Sequence, residues 1–89
     1  MIKTDIINKV QQRTEVDGKT ISLIIDAFLD EITAALVRRE GVELRGFGKF
    51  VVKHLKERPA RDLKRGTKII VPAKDTPAFK ASKTLKDKI

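Results

Sequence analysis

The sequence contains no cysteine and a single histidine, His54. Without cysteine the chain has no disulfide and no thiolate metal site, and one histidine cannot build a zinc site without help from carboxylates. Neither a Ser-His-Asp triad nor any other catalytic group of residues has a convincing position in the sequence. We therefore predict no cofactor, no metal ion and no enzymatic activity.

Long hydrophobic runs are also absent. No apolar run approaches the roughly 18–20 residues that span a bilayer, and the first residues, Met1 to Asp5, carry no apolar signal-peptide core. We expect no membrane partner and a cytoplasmic location. The 89 residues suffice for a single domain with a small core, and pairing with a second copy is a common remedy for the marginal stability of such a domain.

The net charge of +8 is confined to the second half of the chain. Residues 1–52 hold 8 basic and 8 acidic groups, residues 53–68 hold 7 basic and 2 acidic groups, and residues 69–89 hold 5 basic and 2 acidic groups. The first part is therefore neutral, and the two later parts carry net charges of +5 and +3. A neutral half followed by a basic half predicts a scaffold joined to an anion-binding surface.

Two helices are predicted in the neutral half. The first covers roughly residues 3–14 and begins at an N-cap on Thr4. The second extends from a cap at Asp17 to about Arg39, and Gly41 stands where a C-terminal cap belongs.

The second helix is apolar on more than one face. One stripe follows helical spacing and three further apolar residues widen it; together they are Ile21, Leu23, Ile24, Ile25, Ala27, Phe28, Leu29, Ile32, Ala35, Leu36 and Val37. So apolar a helix needs more partners than one short subunit offers, and the pattern predicts a homodimer.

The second half of the chain has strand patterns. Val42 to Leu44 and Phe47 to Leu55 are predicted strands joined by a turn. After Lys56, residues 56–67 contain one large apolar side chain, Leu63, and such a segment cannot bury itself. A strand resumes over residues 68–71, so we expect a long hairpin whose tip, near residues 63–66, projects into solvent. The chain returns to the sheet at Pro77 to Ala81 and ends in a short helix, Lys83 to Ile89, capped by Ser82.

Several motifs along these elements resemble one family. They are Gly46-Phe47-Gly48-x-Phe50, the arginines Arg58 and Arg61, Ile70-x-Pro72-Ala73, and Pro77-Ala78-Phe79-Lys80-Ala81 followed by Lys83 and Leu85-Lys86-Asp87. With the order of the elements, they resemble the HU/IHF family of bacterial histone-like proteins over essentially all 89 residues. The resemblance implies an α+β fold with two N-terminal helices, a three-stranded antiparallel sheet with a long protruding β-ribbon arm, a short C-terminal helix and an intertwined dimer.

The resemblance also implies an organisation and a function. Residues 1–89 form one domain: 1–41 for dimerisation, 42–82 for the sheet with its DNA-binding arm at about 53–72, and 83–89 for the last helix. The expected function is non-enzymatic binding of double-stranded DNA, with little sequence specificity, by arms in the minor groove. Such a homodimer would shape or compact the chromosome as a nucleoid-associated protein.

The expected DNA contacts lie on the arm and on the body. The arm contacts are Lys53, Lys56, Arg58, Arg61, Leu63, Lys64, Arg65 and Lys68; the body contacts, at positions that resemble flank-binding positions of the family, are Lys80, Lys83 and Lys86. Arginine and lysine side chains that contact phosphates release the counterions condensed on the DNA, and this release favours binding. The core and dimer interface are expected to hold Phe28, Phe47, Phe50 and Phe79.

The arm tip departs from the family pattern. Family members usually carry Arg-Asn-Pro there and insert the proline between base pairs, whereas this chain has Arg61-Asp62-Leu63. Leucine also serves as an apolar wedge in architectural proteins, so one hypothesis is that Leu63 intercalates and bends the duplex. The alternative is that Leu63 packs against the hairpin and the DNA stays unkinked.

Two other functions remain as alternatives. One is sequence-preferring DNA bending in the IHF manner, which ranks lower because the arm has no Asn or Gln to read base edges. The other is general polyanion binding with RNA as the main target, which a competition between duplex DNA and structured RNA would separate from DNA binding.

Overall fold

The computed structural model of the chain describes residues 1–62 and 66–89, with the backbone alone at Arg61 and Asp62. Its elements confirm the predicted α+β fold. In chain order they are α1 (Lys3–Thr14), α2 (Gly18–Val37), β1 (Val42–Leu44), β2 (Gly48–Leu55), β3 (Arg58–Asp62), β4 (Thr67–Val71), β5 (Lys74–Ala81) and α3 (Lys83–Asp87). These elements form two compact units, Met1–Ala34 and Ala35–Ile89.

The start of α1 differs from the prediction. The helix begins at Lys3 and its N-cap is Ile2, so the expected cap at Thr4 is wrong. The backbone N–H of Ile2 donates to Asp5 Oδ2 at 2.7 Å. Thr4 already lies inside the helix, and the Asp5 carboxylate, three residues after the N-cap, accepts the N-cap N–H as the third helical residue of a capping box does. At α2, by contrast, Asp17 does precede the helix, and its carbonyl accepts the N–H of Ile21 at 3.0 Å.

The end of α2 is formed by Arg39 and not by Gly41. Arg39 has a left-handed backbone with φ +66°. Its N–H donates to the Leu36 carbonyl at 2.9 Å, and the N–H of Glu40 donates to the Ala35 carbonyl at 2.9 Å. This pair of bonds is a Schellman motif, which satisfies carbonyls that the last turn leaves free. The predicted cap at Gly41 is therefore wrong, because the chain has already left the helix two residues earlier.

A three-stranded antiparallel sheet has the order β1-β2-β5. β1 and β2 are joined by a tight turn in which the Phe47 N–H donates to the Leu44 carbonyl at 2.9 Å. Gly46 stands at the third turn position with φ +79°, a conformation that glycine adopts without steric cost. Phe47 was expected to begin β2 but belongs to this turn, and β5 begins at Lys74, three residues before the expected start.

The strands β3 and β4 form a separate two-stranded ribbon. Residues 56–57 interrupt one side between β2 and β3, and Pro72 and Ala73 interrupt the other between β4 and β5. Because proline has no N–H to donate, a ladder cannot continue unbroken through Pro72. The ribbon strands therefore cover residues 58–62 and 67–71. Residues 53–55, expected at the base of the arm, pair with β5 in the three-stranded sheet.

Few side chains are fully buried in one copy of the chain. Among the described residues the buried apolar side chains are Ile21, Ile32 and Ala35, all on α2. Large apolar side chains elsewhere on α2 stay open to solvent; Leu23 and Val37 are each 70% exposed. A single copy therefore has a very small core.

Candidate nucleic-acid interface

Basic residues lie on both strands of the ribbon. Its register pairs Arg58 with Val71 and Arg61 with Lys68. Arg58 and Lys68 are exposed, and Gly66 has φ +67°, as expected of a turn residue near the tip. The predicted arm contacts Leu63, Lys64 and Arg65 lie outside the described residues.

Pro59, Ile69 and Ile70 of the ribbon are also exposed. Pro59 lies opposite Ile70 and Ala60 lies opposite Ile69. Ile70 is 69% exposed and Ile69 is 46% exposed. A two-stranded ribbon has no second layer to cover such residues, so it presents apolar surface together with charge. That combination suits a groove, where phosphates flank the apolar surfaces of sugars and bases.

The remaining predicted contacts lie in three different places. Lys53 is on β2 opposite Thr76 of β5, and Lys56 is in the connection between β2 and β3. Lys80 is on β5, whereas Lys83 and Lys86 are on α3; all five lysines are exposed. The structure thus distributes the cations along the ribbon, the sheet and the last helix, and does not collect them in one pocket.

The last helix begins as predicted. The Oγ of Ser82 accepts the Leu85 N–H at 3.1 Å, which is a side-chain N-cap. The backbone N–H of Ser82 in turn donates to the Phe47 carbonyl at 2.9 Å. These two bonds tie the start of α3 to the β1–β2 turn and so position Lys83 and Lys86 beside the sheet.

An ionic cluster lies where β2 and β5 approach the ribbon. His54 and Asp75 are cross-strand partners, with His54 Nδ1 and Asp75 Oδ1 2.8 Å apart. Arg39 Nε donates to Asp75 Oδ2 at 3.0 Å. The hydrogen bond to His54, and next to it the hydrogen bond to Arg39, lower the pKa of Asp75 below its ordinary value of 3.8. The cluster holds this carboxylate in its charged form.

From the sequence, Arg39 was placed at the end of the second helix and Asp75 was given no role, so the pairing of the two residues was not predicted. One signal was available: Asp75 is the only acidic residue between Thr67 and Lys86, in a stretch that is otherwise basic. An isolated acid there needs a specific partner if it is not to weaken binding of an anion. Arg39 gave no such signal, because its partner is 36 residues away along the chain.

Three of the four phenylalanines form one cluster, with Phe50 on β2, Phe79 on β5 and Phe47 in the β1–β2 turn. The ring centroid of Phe79 is 5.4 Å from that of Phe47 and 5.0 Å from that of Phe50. Phe47 and Phe79 nevertheless remain 48% and 42% exposed. Phe28, on α2, is exposed to a similar degree. In one copy of the chain, this cluster therefore forms an apolar surface that is partly exposed to solvent.

In residues 1–62 and 66–89 no group of three or more His, Asp or Glu side chains is placed to hold a metal ion. No helix within the described part of the chain has the length and apolarity needed to cross a membrane.

Comparison with known proteins gives consistent results over the full length. A family model described as bacterial DNA-binding protein matches residues 1–89. The chain is 42% identical over 89 residues to DNA-binding protein HU-1 of Halalkalibacterium halodurans, and 39% identical to DNA-binding protein HU of Staphylococcus aureus. Each match covers 100% of this chain and 99% of the relative.

Solved structures are similar in fold as well. An HU–DNA cocrystal structure from Anabaena matches with a TM-score of 0.93 and 32% identity, covering 99% of this chain and 96% of that one. HU from Thermotoga maritima matches with a TM-score of 0.70 and 30% identity, covering 99% of this chain and 97% of that one.

Proposed function

Since the chain belongs to the family of bacterial DNA-binding proteins, whose model matches all of residues 1–89, we propose that it is a non-enzymatic architectural protein of the HU type. It binds double-stranded DNA with little sequence specificity and shapes or compacts the chromosome. The observation that carries this function is the β3–β4 ribbon, which exposes basic and apolar side chains together and has no second layer to bury them.

The protein binds as a homodimer. A single copy buries three apolar side chains among its described residues, while Leu23, Phe28 and Val37 are between 48% and 70% exposed. Burial of apolar surface stabilises a protein by about 25 cal/mol per Å². Leaving these apolar side chains in contact with water is therefore unfavourable. A second copy that covers α2 and the phenylalanine cluster would supply the missing core, in an intertwined arrangement of the two chains.

We assign the following contacts as part of the proposal. The arm residues are Lys53, Lys56, Arg58, Arg61, Leu63, Lys64, Arg65 and Lys68, and the body residues are Lys80, Lys83 and Lys86; each cation neutralises a phosphate. Three consecutive segments of the domain have different roles. Residues 1–41 serve dimerisation, residues 42–82 form the sheet and its arm, and residues 83–89 form the last helix. The protein acts in the cytoplasm, on the nucleoid.

Fluorescence anisotropy with labelled duplexes of unrelated sequence tests this function. We expect similar affinities for all duplexes and a steep fall in affinity with rising salt, because phosphate contacts dominate. A matched competition with structured RNA should favour the duplex. A preference of roughly a thousandfold or more for one DNA sequence would instead indicate sequence-specific recognition. Stronger competition by RNA would indicate a different polyanion as the target.

A further inference from the structure

The three-stranded sheet carries the lysines of β2 and β5 on only one of its two faces. Residues directly opposite each other on antiparallel strands share a face, and alternate residues along a strand change face. One face carries the pairs Phe50–Phe79 and His54–Asp75. The other face carries the pairs Lys49–Lys80, Val51–Ala78, Lys53–Thr76 and Leu55–Lys74. All of the lysines of β2 and β5 therefore lie on one face, and the carboxylate of Asp75 lies on the other.

Within the described part of the chain, no carboxylate forms an ion pair with the lysines on this face. Lys49, Lys53, Lys74 and Lys80 are exposed, and among the described side chains none of them forms an ion pair. Glu43 of β1 lies opposite Lys49 in the register, yet no ion pair joins the two. The register makes Lys49 and Lys80 direct cross-strand neighbours, a like-charge arrangement that destabilises a sheet. An anion bound across the pair would remove that cost.

The stripe continues in the direction of the ribbon. Lys49 is near the start of β2, and Lys74 is opposite Leu55 at the end of the strand, where the chain passes into the ribbon. At about 3.3 Å per residue, the six steps from residue 49 to residue 55 span roughly 20 Å. A duplex has phosphates along its whole length, one per 3.4 Å of each strand, so a stripe of this length can contact several of them at once.

On the basis of the proposed function, we propose that Lys49 and Lys74 are further DNA-contacting residues. Together with Lys53 and Lys80 they form a cationic stripe on the sheet that holds the duplex between the ribbon and the last helix. The Asp75 carboxylate does not oppose this binding, because it lies on the opposite face and is paired with His54 and Arg39.

The test compares three proteins in salt titrations of duplex affinity. They are the wild type, Lys49→Gln/Lys74→Gln, and the control Lys9→Gln/Lys19→Gln, which removes the same charge from exposed positions on α1 and α2. Each lost phosphate contact reduces the magnitude of the slope of log affinity against log salt concentration by about 0.9. A dimer carries four substituted lysines, so the magnitude of its slope should decrease by up to about 3.6. Its affinity for the duplex should fall roughly tenfold or more. The control should change the slope much less.

Thermal unfolding of free Lys49→Gln separates binding from folding. Removing one member of the like-charge pair should leave the midpoint unchanged or raise it, so weaker binding together with undiminished stability would support a direct contact. If Lys49→Gln/Lys74→Gln and the control have the same slope while the wild type binds the duplex, the stripe is refuted and the proposed function stands. If the wild type itself fails to bind the duplex, both are refuted.

Discussion

Replacement of Gly48 by alanine should strongly destabilise the sheet. Gly48 is the first residue of β2 and is buried beneath the ring of Phe79. A Cβ at this position would lie 2.5 Å from Phe79 Cε1 and 2.7 Å from the backbone carbonyl oxygen of Lys80. The ring could move aside, but the carbonyl belongs to the paired strand β5 and cannot move without distorting the ladder.

The magnitude follows from these two contacts. Forcing an extra carbon into a packed site costs about 1–3 kcal/mol. Displacing the Phe79 ring also weakens its contacts with Phe47 and Phe50, each worth about 0.5–1.5 kcal/mol beyond the buried area. We therefore expect Gly48→Ala to lower the free energy of unfolding by about 2–4 kcal/mol, or a midpoint drop of roughly 10–25 °C for a chain of this size.

Urea and thermal unfolding at one fixed protein concentration would measure the effect, since the midpoint of a dimer depends on concentration. Gly41→Ala is the matched control, because the nearest atom to its new Cβ is the flexible end of Lys49, at 3.3 Å. It should cost less than about 1 kcal/mol. Phe79→Leu combined with Gly48→Ala should recover part of the loss. A Gly48→Ala protein as stable as Gly41→Ala would refute the reasoning.

Three further predictions concern the arm tip and the ionic cluster. Leu63→Ala should reduce DNA bending, seen as lower end-to-end energy transfer in a doubly labelled duplex, if Leu63 is a wedge; unchanged transfer would favour packing against the hairpin. The pKa of Asp75 is lowered in the folded state, so its contribution to the free energy of unfolding is present above pH 3.8 and is lost as the pH falls below that value. Asp75→Asn should therefore make the free energy of unfolding depend less on pH in the acid range. A pH dependence equal to that of the wild type would contradict this. In urea unfolding, Arg39→Gly should be more stable than Arg39→Ala by about 1 kcal/mol. Both variants lose the hydrogen bond to Asp75, but only glycine adopts the φ of +66° at this position without strain. Equal stabilities of the two variants would contradict this prediction.

The order and type of the elements could be read from the sequence, because they depend on local patterns. Helical spacing predicted residues 3–14, and that range is α1 as observed. Alternation predicted β1 at Val42–Leu44, and the charge excess after residue 52 pointed to the basic ribbon and sheet. The family motifs, spread over all 89 residues, also led to the HU/IHF resemblance, and the full-length family match confirms it.

What the sequence could not decide were the features that depend on which residues meet across the fold. The C-terminal cap of α2 was predicted at Gly41 but is formed by Arg39. The guanidinium of Arg39 donates a hydrogen bond to Asp75, 36 residues away along the chain. The placement of Lys49 and Lys74 on the same face as Lys53 and Lys80 follows from the strand register. A local pattern determines whether a residue is helical or extended, whereas a register or a distant ion pair is settled only when the strands pair and their side chains come into contact.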